Sequence, residues 1–201
     1  MVIRYLSQKK RMAENYIIGK EVTNKIFGAD EIMYKDFEEC TFTGCDFTQC
    51  DFTGTAFIDC NFVGCNFSEA KINYVSLRGA FFNNCNFTGV NFSMCDQLLF
   101  SVEFKDCRLD YAKFYTLKIK GTLFTDCSMV AVDFMNTDLT EVVFDNCNLH
   151  QSLFHDSIAV KADFTTSYNY SMDPEKNKLR RARFSQDGLK GLLEKHEIVV
   201  V

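Results

Sequence analysis

The sequence predicts an all-β fold, a quadrilateral parallel β-helix closed by a short C-terminal helical cap. Three observations carry that expectation. A large apolar residue recurs at every fifth position across most of the chain, a small residue recurs two positions before it, and the positions between are mostly Asp, Asn, Thr, Ser, Gly and Lys. This period matches neither the turn of a helix nor the two-residue alternation of a strand. It fits a wall that turns a corner every five residues. Four such walls close a coil of about 20 residues, and successive coils pair their backbones at the strand spacing of roughly 4.8 Å.

Taken from the N-terminus, residues 1–26 are expected to form a cap, because a solenoid exposes an apolar stack at each end. Tyr5, Leu6, Tyr16 and Ile17 can cover that stack, and the short repeats near Val22, Phe27 and Ile32 can add one more coil. The opening stretch MVIRYLSQKKRMAENYIIGK lacks the continuous apolar core and cleavage signal of a secretory leader. No segment reads as a transmembrane helix, so the expected compartment is the cytoplasm.

Residues 27–168 are expected to form the solenoid. Counting by five gives Phe37, Phe42, Phe47, Phe52, Phe57, Phe62, Phe67, Ile72, Leu77, Phe82, Phe87 and Phe92. A second register gives Phe104, Leu109, Phe114, Ile119, Phe124, Met129, Phe134, Leu139, Phe144, Leu149, Phe154, Ala159 and Phe164. Of these 25 positions 17 are Phe, read as the structural core, and the rest are apolar. In the second register Phe alternates with another apolar residue, and a period of ten places Phe on two opposite walls. The interior packing is therefore expected to change between halves without a second domain. Between the registers lie 12 residues where the repeat needs 10, a two-residue break near 93–99. It reads either as a corner bulge or as an exposed recognition feature.

All ten cysteines fall in the small-residue column, from Cys40 and Cys45 to Cys147. Their count alone would fit a disulfide framework. The column also holds Ala, Val and Thr, which cannot ligate metal as a thiolate does, so the cysteines read as small buried fillers. Stacked pairs such as Cys40 with Cys60 need no bond.

Residues 169–201 are expected to form a C-terminal cap. Ser185 can cap a short amphipathic helix whose stripe is Leu189, Leu192 and Leu193, followed by an apolar tail including Ile198 and Val200. The element reads as a plain cap or as one that also makes an isologous dimer. The apolar tail favours the dimer, with Leu189, Leu192, Leu193, Ile198 and Val200 as its interface.

No catalytic site is legible. His150, His155 and His196 form no ligand pattern, there is no phosphate-binding glycine loop or nucleophile elbow, and no metal or cofactor is expected. Charge is more informative. Residues 28–170 hold 20 acidic and 9 basic side chains, whereas the first 27 residues carry a net charge of +4 and the last 31 of +2. Direct nucleic-acid binding is not expected from a chain of net charge -5. An acidic rod can instead enter a cationic groove meant for duplex DNA, with Asp46, Asp51, Asp133 and Asp138 as candidate contacts; plain solubility is the competing explanation.

Units such as CDFTQ (45–49), CDFTG (50–54), CNFVG (60–64), CNFSE (65–69) and CNFTG (85–89) resemble the pentapeptide-repeat family, whose motif is approximately A(D/N)LXX. The resemblance covers about residues 22–166 and implies a right-handed quadrilateral β-helix. The C-terminal segment ARFSQDGLKGLLEKHEIVV resembles the dimerisation module of the quinolone-resistance subgroup. That subgroup implies a non-enzymatic DNA mimic that binds DNA gyrase or topoisomerase IV and protects it from quinolones. Its members carry sizeable projecting loops, whereas this wall has only the interruption near Asp96–Leu99. The alternative is a general protein-interaction scaffold without a topoisomerase partner.

Overall fold

Residues 20 apart lie side by side. In the computed structural model, which describes residues 15–198, β1 (Tyr16–Ile18) pairs in parallel with β3 (Asp36–Glu38) and β3 with β5 (Ala56–Ile58). These strands and the first part of β7 (Ser76–Asn83) make a first wall. A second wall runs from β2 (Glu21–Thr23) through β4 (Thr41–Thr43) and β6 (Asn61–Val63) to the second part of β7. It continues through β8 (Phe100–Lys105), β9 (Leu123–Thr125), β10 (Val143–Asp145), β11 (Asp163–Phe164) and β12 (Arg183–Phe184). The third and fourth walls are joined by single bridges, Ile26–Asp46–Asn66–Asn86 on the third and Asn91–Lys113–Asp133 on the fourth. The whole is a parallel β-solenoid of about 8 turns with a short C-terminal helix.

The coils extend further than the repeat consensus. Register pairing sets Ile17 against Phe37 and Val22 against Phe42, so regular wall begins inside the stretch expected to be a cap. At the other end Phe184 lies on Phe164, inside residues 169–201. Both corrections have one physical reason. The large apolar residue keeps its place even where the polar flanks no longer match the motif, and the interior decides the register. Tyr5 and Leu6 lie outside the described residues.

The interior is a set of stacked columns. On the second wall Phe42, Phe62, Phe82, Phe104, Phe124, Phe144, Phe164 and Phe184 stack with ring centroids 4.8–5.3 Å apart and planes within 20°. Phe92, Phe114, Phe134 and Phe154 repeat this on the fourth wall. The third wall stacks Phe27, Phe47, Phe67 and Phe87, then changes to the buried Leu109, Met129 and Leu149. Each buried Phe contributes roughly 1.5–3 kcal/mol by area, and each offset ring pair about 0.5–1.5 kcal/mol more.

The break is local. Asp96 N still donates to Val75 O at 2.9 Å, in the register of the lower coils, whereas Ala80 pairs with Val102 and Phe82 with Phe104. The extra residues are therefore taken up between Asp96 and Val102. The first wall also changes character there. Below the break it is built of strands; above it, Thr122 N donates to Ile119 O at 3.2 Å and Val142 N to Leu139 O at 3.1 Å, closing β-turns.

All ten cysteines are free and buried. They do more than fill space. Cys65 Sγ donates to Phe42 O at 3.4 Å, Cys127 Sγ to Phe104 O at 3.6 Å, and Thr55, Thr137 and Ser157 donate to the carbonyl 23 residues back in the same way. The column thus takes a small side chain with one hydrogen to give, which explains why Cys, Thr and Ser share it. Burial pushes the Cys60 thiol up to about 12 and the Cys50 thiol up to about 11. Because a reagent must reach the sulfur and all ten thiols are buried, the folded protein should react with Ellman's reagent at neutral pH at fewer than one thiol per chain and at all ten once unfolded. Rapid reaction of several thiols in the folded state would contradict this packing.

Candidate partner-binding surface

The wall residues before the central apolar residue are held by their own corners. Asp46 Oδ1 accepts from the Thr48 amide at 2.9 Å and its hydroxyl at 2.5 Å. Asp51 with Thr53 and Asp138 with Thr140 repeat the arrangement, and Asp133 Oδ1 accepts from the Met135 amide at 2.9 Å. Such side-chain turns compete well with ladder pairing and favour an Asx residue followed two positions later by Thr or Ser.

The four acids predicted as a contact surface do not share one face. Asp46 lies on the third wall, Asp51 and Asp133 on the fourth, and Asp138 on the first. Each is half-buried with Oδ1 engaged by its own corner. Cations interrupt their columns: Lys71 bridges Asp51, Lys113 bridges Asp133, Lys118 bridges Asp138, and Lys120 Nζ lies 3.2 Å from Asp138 Oδ2. Hydrogen bonds from the Thr53 hydroxyl and amide hold the Asp51 carboxyl below its ordinary value. At Asp138 burial pulls upward, but Thr140 and Lys120 outweigh it and the net direction is down.

The more exposed acids stand at corners. The residue two after each central position turns into the left-handed region, as at Glu39 (φ 52°), Asp59 (φ 50°), Asp106 (φ 52°), Asp126 (φ 54°) and Glu141 (φ 61°). Glu39, Asp59 and Glu141 edge the second wall on one side, and Asp106 and Asp126 on the other. Glu21, Glu103, Asp145 and Asp163 lie on the wall between them. Asp59 reaches over the next corner, where a Cβ at Gly79 would sit 2.2 Å from its Oδ1. This acid-rich strip was not found from the sequence. The available signal was the run of Gly and Asn at the same corner position, including Gly44, Gly54, Gly64 and Asn84.

The C-terminal end is closed by the helical segment. A single turn at Asp187–Leu189 leads into α1 (Lys190–Leu193), and Ser185 Oγ accepts from Gly188 N at 3.0 Å. The segment seats on buried Tyr170, and a Cβ at Gly191 would lie only 2.2 Å from the Tyr170 carbonyl oxygen. Leu192 packs on the core, whereas Leu189, Leu193 and Ile198 are exposed; Val200 lies outside the described residues. At the register break Leu98 is 93% exposed, and Tyr34, Tyr74, Met94 and Leu99 are also exposed along this flank of the rod.

His155 Nδ1 lies 2.7 Å from Asp156 Oδ2. Among the described residues no group of three or more His, Cys, Asp or Glu side chains could hold a metal ion. None of the described helices is long and apolar enough to cross a membrane.

A family model described as "Pentapeptide repeat region" matches residues 35–98 and 97–168. Among solved structures, a trypsin-treated variant of QnrB1, a plasmid-mediated fluoroquinolone resistance protein, matches with a TM-score of 0.63 at 17% identity, covering 92% of this chain and 100% of that one. Full-length QnrB1 matches with a TM-score of 0.57 at 18% identity, covering 91% of this chain and 100% of that one. No curated protein sequence matches.

The corner geometry has a pH consequence. The folded Asp51 carboxyl is held low, so its stabilisation is present above its unfolded value and is lost as pH falls through the folded one. Asp51→Ala should cost about 0.5–2 kcal/mol at neutral pH, in the range of a lost cap. The deficit against wild type in urea unfolding should shrink as pH falls below about 4, and a deficit that does not depend on pH would contradict the carboxylate's role.

Proposed function

The chain belongs to the pentapeptide-repeat family, and from that premise we propose that it is a non-enzymatic DNA mimic that binds DNA gyrase or topoisomerase IV. The observation that carries this reading is the acid-rich strip on the longest continuous face of the rod. Glu39, Asp59, Asp106 and Asp126 project from corners beside the second wall, and Glu141 on the same edge is paired with Lys161. Duplex DNA also presents negative charge at short regular intervals along a rod, and a protein groove built for it attracts such a shape through electrostatic complementarity. The fold match to QnrB1 over nearly the whole chain supports the same direction.

On this reading, Asp46, Asp51, Asp133 and Asp138 chiefly hold the corners that aim the exposed acids, and they add negative potential from their own walls. The C-terminal segment serves as the dimer contact, through Leu189, Leu193 and Ile198 together with Val200. Two rods joined end to end would lengthen the acidic body. Leu192 contributes by fixing the segment to the core. The compartment this requires is the cytoplasm. Protection from quinolones is the further consequence, reached when the rod occupies the enzyme without stabilising cleaved DNA.

A second reading, a scaffold for a partner other than a topoisomerase, is favoured by the exposed Tyr34, Tyr74, Met94, Leu98 and Leu99, an unusual apolar series for a solvated wall.

Supercoiling by purified gyrase and decatenation by purified topoisomerase IV, each assayed with and without a quinolone, test the first reading. Wild-type protein at micromolar concentration should inhibit supercoiling or restore it in the presence of drug. The variant Glu39→Gln, Asp59→Asn, Asp106→Asn, Asp126→Asn should lose the effect at least tenfold while melting normally. No effect of wild type on either enzyme would sink the reading, and a partner pull-down would then address the second. Light scattering on the same samples should show a dimer that removal of residues 185–201 abolishes.

A further inference from the structure

The terminal coil carries a basic patch that the acidic body does not share. Lys176, Lys178, Arg180 and Arg181 are all exposed, and none forms an ion pair among the described residues. The neighbouring acids are already engaged. Lys161 holds Glu141 at 2.5 Å, Arg183 holds Asp163 at 2.8 Å, and Lys195 holds Asp173 and Glu175 at 2.6 and 2.7 Å, while Asp156 contacts the His155 imidazole at 2.7 Å.

The coil geometry aims the four cations outward together. Lys178 bridges Ile158 on the first wall, and Leu179 turns inward against the core. Lys178 and Arg180, on either side of inward Leu179, are both exposed on the outside of the coil. Arg181 occupies the next corner with φ 60°, and the Lys176 carbonyl accepts from Asp156 N at the preceding corner. Below the patch the first wall presents Ile158 and Val160, a neutral band before Asp138 with its partner Lys120.

We propose that this patch docks the phosphate backbone of duplex nucleic acid. The cations are unpaired, and two of them are arginines, whose planar fork matches phosphate oxygens. Lys178 and Arg180 flank the inward Leu179 on one wall, with Lys176 and Arg181 at the corners before and after it. One strand of a duplex offers a phosphate every ~3.4 Å of axis, so several can be met at once. The acidic body repels the same duplex, which restricts contact to the first-wall side of the terminal coil, apart from the Leu189, Leu193 and Ile198 contact of the proposed dimer. The expectation of no nucleic-acid binding, drawn from net charge, therefore applies to the body and not to this end.

Fluorescence anisotropy of a labelled mixed-sequence duplex with the full-length protein tests the proposal. With four phosphates neutralised, affinity should fall about tenfold for each doubling of salt. The variant Lys176→Gln, Lys178→Gln, Arg180→Gln, Arg181→Gln should bind at least tenfold more weakly with an unchanged melting curve, while Lys71→Gln, Lys113→Gln on the fourth wall should bind as wild type. The proposal fails if wild type gives no signal at low salt up to ~100 µM, the weak end of non-specific binding. It fails equally if the terminal variant binds like wild type. Binding of poly-glutamate in place of the duplex would overturn it in favour of an acidic protein surface.

Discussion

Backbone pairing between residues 20 apart is the constraint on which the rest of the structure depends. It sets each side chain directly over its counterpart in the coil below, as Phe124 lies over Phe104 and under Phe144. A column must therefore be acceptable to itself. Flat rings meet this well, since they repeat at nearly the coil spacing with planes almost parallel. Small donors meet it at the corners, where thiols and hydroxyls give their hydrogen to the carbonyl of the coil below. The energies rank these contributions: removing a buried Phe costs about 3–5 kcal/mol, whereas a net hydrogen bond contributes about 1 kcal/mol. The rings hold the rod and the donors tune it.

The same geometry separates structure from function. Inward positions are spent on packing, and the polar positions before the central residue are largely spent on closing corners, as at Asp46 and Asp51. What remains free is the left-handed corner residue and the outer face of the strands. A non-glycine residue there costs roughly 1–2 kcal/mol, yet Glu39, Asp59 and Asp126 accept it. Acidic corners beside a continuous sheet face, and a terminal coil of opposite charge, are the features that packing alone does not require.

Much of this was legible in the sequence because the repeat period is itself the structure. A Phe at every fifth residue fixes four walls, and the alternation after Phe104 correctly places Phe on opposite walls. The small-residue column marked the cysteines as unbridged wall residues, as the free buried thiols show. The spread of the candidate acids over three walls follows from counting by the repeat, but choosing them by position before the large apolar residue ignored which wall each occupied. The cap boundaries were drawn where the polar motif faded, whereas Ile17 and Phe184 show that the interior keeps the register. The switch of the first wall from strands to turns above the break depends on three-dimensional closure, for which no local residue pattern was available.

The most direct test of the 20-residue coil as the unit of folding is a pair of deletions. Removing residues 124–143 joins Leu123 to Phe144 and leaves every column intact, one coil shorter. Removing only 124–128 keeps the five-residue period but moves Phe134, Phe144, Phe154 and Phe164 onto the walls now occupied by smaller residues. Each mismatched column costs about 2–5 kcal/mol, and several together exceed a typical total stability of about 5–15 kcal/mol. Circular dichroism with urea unfolding should find the 20-residue deletion folded and cooperative and the five-residue deletion unfolded. Equal stability of the two would contradict the account, because the single five-residue repeat would then be the unit and the stacked column would not.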